Sequence, residues 1–167
     1  MQGGSPFAAT SICGPAPPEP FIAEIAEGSS NNKYIEIFNP TGATISLDDY
    51  YFGSVSNAPT TAGQYEYQNT FTAGATVAPG DVYIVCHGSA DPAILAFCDE
   101  PSWTYLSNGD DAYCLLKGDA TTYDVIDCVG DFQGDPGNGW DVCGVSEATK
   151  DKTLVRKSDA DFSAATA

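Results

Sequence analysis

The run Lys33-Tyr34-Ile35-Glu36-Ile37-Phe38 alternates without a break, with Tyr34, Glu36 and Phe38 on one side and Ile35 and Ile37 on the other. A period of two residues belongs to a β-strand, whose successive side chains point to opposite faces. Turn formers close it at both ends: Gly28-Ser29-Ser30-Asn31-Asn32 before it and Asn39-Pro40-Thr41-Gly42 after it. The same grammar recurs along the chain. Strand-like stretches fall at residues 21–27, 33–38, 44–47, 50–52, 64–71, 82–86, 112–117, 123–130 and 153–157, each bounded by Gly, Pro, Asn or Asp. One short helix is expected after Asp91, with Asp91 as N-cap and Pro92 as first helical residue. Eight or nine short strands and one short helix, with no internal repeat, fold as an all-β sandwich.

Such a sandwich needs a core, and the chain can supply one. Of its 167 residues 43% are apolar, with 8 Phe, 9 Tyr and 2 Trp, so the net charge of −17 is not that of a disordered segment. The imbalance comes from scarce cations, 6 Lys and Arg against 23 Asp and Glu. It excludes nucleic-acid backbones and anionic membrane surfaces as partners, because both require clustered positive charge. Length fits one domain. Residues 1–19 read as a Pro/Gly-rich lead-in, 20–158 as the sandwich and 159–167 as a small-residue tail.

The six cysteines, Cys13, Cys86, Cys98, Cys114, Cys128 and Cys143, contain no C-x2-4-C pair of the kind zinc sites use. An even number beside a single His favours disulfides and an oxidising, extracellular compartment. Six cysteines permit 15 pairings. Cys86–Cys98 closes a short loop around the helix, Cys114 and Cys128 share an apparent hairpin, and Cys13–Cys143 would staple the lead-in. A turn at residues 118–121 would set Cys114 nearer Val125 than Cys128, so Cys86–Cys114 stands as a rival. No apolar run approaches the roughly 18 residues of a membrane span. Met1–Thr10 lacks the basic start and apolar stretch of a signal peptide, which is expected of a form whose targeting segment is absent.

Catalytic groups are sparse. The one His, His87, directly follows Cys86, so the two side chains should point apart, and no G-x-S-x-G elbow is present. The carboxylates Asp48-Asp49, Asp110-Asp111, Asp131, Asp135 and Asp141 read as turn formers before they read as acid–base pairs. Glu36 is expected to accept bonds from turn amides, and Asn39 to cap the turn at its strand's end. The one metal candidate is calcium. Asp131, Asp135, Asn138 and Asp141 offer hard oxygen ligands in a Gly-rich loop that lacks the ligand spacing and terminal Glu of an EF-hand. No other cofactor is expected. Tyr50, Tyr51, Tyr65, Tyr67 and Trp140 are the candidate contact residues for a protein or a glycan, with Trp140 as readily a core or lid aromatic.

Several segments, taken in order, resemble the lamin tail domain, an immunoglobulin-like sandwich. They are the opening strand–turn–strand of residues 21–42 with its Tyr34-Ile35-Glu36-Ile37-Phe38-Asn39, then Leu47-Asp48-Asp49-Tyr50 and Ala78-Pro79-Gly80-Asp81-Val82-Tyr83. Ser107-Asn108-Gly109-Asp110-Asp111-Ala112 with Leu115-Leu116-Lys117 follows, then Thr153-Leu154-Val155-Arg156-Lys157. Asp131-Phe132, Asp135-Pro136-Gly137 and Gly139-Trp140-Asp141-Val142 look like the secreted branch. The chain departs from the nuclear branch in its cysteines and in having neither heptads nor a basic run. The resemblance implies a non-catalytic extracellular module for adhesion, surface display or assembly through protein or glycan contacts. Its alternatives are a calcium-binding or mineral-associated acidic protein and an accessory domain of a secreted hydrolase.

Overall fold

A computed structural model describes residues 19–103 and 105–157. In chain order its elements are β1 (Phe21–Glu27), β2 (Lys33–Phe38), β3 (Ile45–Ser46), β4 (Tyr50–Val55), β5 (Tyr67–Thr70), β6 (Thr76–Val77) and β7 (Val82–His87). The helix α1 (Pro92–Leu95) follows, then β8 (Glu100–Trp103), β9 (Ala112–Gly118), β10 (Tyr123–Val129) and β11 (Thr153–Val155). One sheet runs β11-β1-β2-β7-β8, a second β10-β9-β4-β5, and β3 and β6 form a two-stranded ribbon. All pairs are antiparallel except β7 with β8. The all-β sandwich expected from the alternation, immunoglobulin-like as the family resemblance implies, is the fold observed.

Strand parity divides the apolar residues between two layers. Ile22, Ile35, Ile37 and Val85 of the first sheet meet Tyr50, Phe52, Tyr113, Leu115 and Val129 of the second in the main core, all buried. Each such side chain contributes on the order of 1.5–3 kcal/mol by leaving water. Phe52, Phe71 and Trp103 form an aromatic triangle in this layer, with centroids 5.5–5.7 Å apart. The opposite residues of the second sheet, Tyr51, Val55, Cys114, Leu116 and Cys128, make another buried cluster on its outer face, against Tyr65, Tyr123, Phe132 and Trp140. The second sheet is therefore apolar on both sides.

Polar clamps join these layers. Arg156 pairs with Asp127 through Nη2, both side chains being 8% exposed, and its Nε donates to the Ile22 carbonyl at 3.0 Å. Asp127 also accepts the Ile22 N–H at 2.9 Å, so the two sheets and β11's exit share one ion pair. Lys117 binds Glu19 at 2.9 Å and lies over the Tyr50 ring, which holds the chain at Glu19 against the second sheet. Buried Asn39 spans the turn after β2, donating to the Ala43 and Val77 carbonyls and accepting the Thr41 N–H. That is the turn role expected of it.

The hairpin differs from its expected register. Its loop covers Asp119 to Thr122, closed by the Asp119 N–H on the Thr122 carbonyl at 2.9 Å, so Gly118 pairs with Tyr123. A bulge between Val125 and Asp127 adds one more residue. Cys114 thus faces Cys128 rather than Val125, and the two form a disulfide with Cα atoms 4.0 Å apart. Cys86 is bonded to Cys98, which excludes the rival Cys86–Cys114 pairing. Cys143 is exposed in the loop before β11, and its expected partner Cys13 lies outside the described residues, as do the rest of residues 1–18 and the tail. Sequence patterning missed β6, which has only two residues, and β8, whose Pro101 is tolerated because the strand sits at a sheet edge.

Candidate functional site

The outer face of the second sheet is covered by the aromatic cluster of Tyr65, Phe132 and Trp140, whereas the outer face of the first carries α1. Register sets its residues in two rows: Glu24 opposite Glu36 opposite Ile84, and Ala26 opposite Tyr34 opposite Cys86. Beyond β7 the chain turns into α1. The Asp91 carboxylate accepts the Ala93 N–H at 2.8 Å, while the Asp91 N–H is held by Asn32 Oδ1 at 2.8 Å, which ties the helix start to the β1–β2 turn. The Cys86–Cys98 disulfide fastens the chain just after the helix to the end of β7. An isolated helix of four residues would not persist in water, so these anchors are what keep it in place.

Sheet and helix enclose a half-open groove of about 330 Å³, floored by Glu24, Tyr34, Glu36, Ile84 and Cys86 and walled by Ala93, Ile94 and Phe97. Phe97 stands at its rim, 76% exposed. Tyr34 donates its hydroxyl proton to Glu24. No described donor reaches the Glu36 carboxylate, whose pKa is raised first by burial and then by the Glu24 charge. Burial and the same carboxylates push the Tyr34 phenol up as well. Glu36 therefore does not have the turn-amide role expected for it. It lies mid-strand, where backbone N–H groups point along the sheet to neighbouring strands rather than up at side chains.

Among the described residues no Lys or Arg forms an ion pair with these carboxylates, exposed Lys157 included. Lys33 pairs with Glu27, Lys117 with Glu19, Lys150 with Glu147 and Arg156 with Asp127, while Lys152 donates to the carbonyls of Glu147 and Lys150. The groove thus presents two carboxylate groups and a tyrosine hydroxyl beside aliphatic and aromatic carbon, a surface that complements a cation on an apolar stem.

The other candidate residues lie elsewhere. Tyr50 is buried in the main core and Tyr51 in the outer cluster of the second sheet. Tyr65 packs edge-on to Tyr51 with centroids 5.9 Å apart, and Trp140 joins that cluster while its Nε1 donates to the Asp111 carbonyl at 3.0 Å. Trp140 is a lid aromatic. Tyr67, half exposed on edge strand β5, stands apart from them. The calcium candidates do not converge: Asp131, Asp135 and Asp141 accept the N–H groups of Gln133, Gly137 and Glu147, and Asn138 donates to Glu147. Among the described residues no three His, Cys, Asp or Glu side chains are grouped to hold a metal ion. Asp48 accepts the Gly74 N–H at 2.7 Å, and buried Asp111 accepts those of Asn57 and Asn108, each at 3.0 Å. His87 Nδ1 accepts the Ser89 N–H at 3.1 Å.

Sequence reading picked out Glu36 but not its companions Glu24, Tyr34, Ile94 and Phe97. The available signal was the polar face of two adjoining strands, Glu24 and Ala26 against Tyr34 and Glu36, with the Cys86–Cys98 spacing to bring the helix over it. Among known proteins, the family model described as Lamin Tail Domain matches residues 14–130, a span that contains every residue lining the groove. No curated protein and no solved structure matches the chain.

Proposed function

The chain belongs to the lamin tail domain family, and on that premise we propose that it is a non-catalytic extracellular module, which works by contact in adhesion, surface display or assembly. The observation that carries this reading is the groove: an open, preformed recess whose helical wall is fixed by a disulfide and whose floor offers recognition chemistry, without a nucleophile–base pair. Two disulfides in the described residues support an oxidising compartment. No described helix is long and apolar enough to cross a membrane. A family fold alone does not assign a role, so the reading rests on the site.

The test is made on protein from its native source. Peptide mapping of the extracellular fraction is expected to recover the Cys86–Cys98 and Cys114–Cys128 linkages. Six free thiols in an intracellular fraction would overturn the extracellular assignment, and turnover of ester, glycoside or peptide substrates would overturn the non-catalytic one. Calorimetry with calcium chloride belongs beside it, since binding heat with a raised melting temperature would move the function to the loop of Asp131, Asp135, Asn138 and Asp141.

A further inference from the structure

We propose that the groove between the outer face of the first sheet and α1 is a receptor for a lysine or arginine side chain presented by a basic segment of a partner protein. This rests on the contact-module reading above and names the ligand chemistry of that module.

Three independent features specify the occupant. Glu24 and Glu36 are direct cross-strand partners, and like charges in that position repel each other unless a cation bridges them. Five of the chain's six Lys and Arg bond to other groups, and among the described residues none of the six forms an ion pair with either carboxylate. The remaining lining, Ile84, Ala93, Ile94 and Phe97, is carbon, which fits the methylene stem of Lys or Arg better than a small hydrated ion. Tyr34 sits against Glu24 with its ring in the floor, and the exposed face of Phe97 at the rim can receive a second cation or an apolar neighbour of the first. A simple metal ion is a poorer fit, because two Glu side chains supply too few protein oxygens for a calcium sphere. An anionic or neutral partner would leave the carboxylate pair desolvated and unpaired.

The chain's negative charge attracts polycations non-specifically, so the experiment must locate the contact as well as detect it. The probe is an acetylated, amidated Gly-Ser-Lys-Leu-Lys-Gly-Ser peptide titrated into the 15N-labelled full chain at physiological salt. Amide shifts are expected to cluster on β1, β2, β7 and α1. Glu36→Gln should weaken binding about tenfold, the loss of one partly desolvated charge pair, and acetylation of the peptide lysines should abolish it. Asp124→Asn, an equal charge change at an exposed position on β10, should leave affinity within about twofold. Melting curves of both variants confirm folding, and Phe97→Ala, which replaces an exposed side chain, provides a second groove variant expected to weaken binding.

Equal losses in Glu36→Gln and Asp124→Asn, shifts centred on residues 131–141, or no shifts at all would each overturn the proposal while leaving the contact-module reading standing. Binding of a deacetylated chitin oligomer to the groove in preference to the peptide would also overturn it, by making the partner a glycan. Substrate turnover, in contrast, would remove the contact-module reading and is detected separately.

Discussion

Cys114 faces Cys128 because β10 carries one residue more than its partner strand at Ile126. Without that bulge the pairing of Val125 with Leu116 would continue to Asp127 opposite Cys114, turning Asp127 toward the outer face and Cys128 toward the main core. With it, Asp127 points inward to Arg156 and the Ile22 N–H, while Cys128 points outward to its disulfide. One inserted residue therefore serves both the clamp between sheets and the staple within one.

The staple predicts a stability loss with a defined size. The disulfide spans 14 positions, and a loop of that length contributes about 3 kcal/mol in the chain-entropy account. Replacing both cysteines together, Cys114→Ala with Cys128→Ala, is expected to lower unfolding free energy by about 2–4 kcal/mol in urea denaturation. The fold should survive, because both positions lie in a cluster that retains Tyr51, Val55, Leu116 and Phe132.

The clamp predicts an asymmetric result. Arg156→Ala leaves the buried Asp127 carboxylate without its cation, a loss of about 3–5 kcal/mol for a pair this enclosed. Adding Asp127→Asn removes the stranded charge and should restore part of that loss. A double variant less stable than Arg156→Ala would show that the cost lies in lost packing, since Arg156 also lies over the Phe21 ring with its guanidinium carbon 5.4 Å from the centroid.

These features also show what could be read in advance. Alternation in residues 33–38 is a local property, so the faces of Ile35, Ile37, Tyr34 and Glu36 follow from sequence alone, as does the Asp91–Pro92 helix start. Register is not local. The position of Cys128 depends on a loop longer than the shortest possible turn and on a bulge without a distinctive residue, so spacing pointed to Val125. The groove was hidden for a related reason: Glu36 was visible as a charged residue in a strand, but its lack of a partner appears only when every Lys and Arg has been placed. Tyr50 and Tyr51 show the converse case. Adjacent residues in a strand face opposite ways, and a contact role for either assumed an open face, whereas both sides of the second sheet are covered.

Gly130 offers a sharper packing test. It sits at φ +76°, and a Cβ there would come within 2.5 Å of the Trp140 ring. Gly130→Ala incurs about 1–2 kcal/mol for left-handed backbone and a further cost of about 1–3 kcal/mol for overpacking. Gly137 has φ +96° with nothing within 4 Å of its virtual Cβ, so Gly137→Ala isolates the backbone part. Gly130→Ala should be the more destabilising by urea denaturation and should shift tryptophan fluorescence as the lid is displaced. Equal losses would mean that Trp140 moves aside freely.

The carboxylate pair predicts a pH dependence whose sign is opposite to that of a stabilising ion pair. Burial and the Glu24 charge raise the pKa of Glu36 above its unfolded value, so the folded state binds that proton more tightly than the unfolded chain does. The contribution of this group to stability is fully present below the unfolded pKa of about 4.3 and is lost as pH rises through the raised folded value. Glu36→Gln removes the ionisation and keeps the shape. It is expected to melt at a higher temperature than the parent at pH 7, with the difference shrinking as pH falls toward 4. Because Glu36 retains solvent contact, the gain is a modest one. A saturating lysine-containing peptide should raise the melting temperature of the parent at pH 7 more than that of Glu36→Gln, by up to about 1.4 kcal/mol of stabilisation for a tenfold difference in affinity, which links the unpaired charge to its ligand in one measurement. A variant that melts lower at pH 7 would mean that ionised Glu36 already has a stabilising partner, and the groove would then be a closed part of the fold.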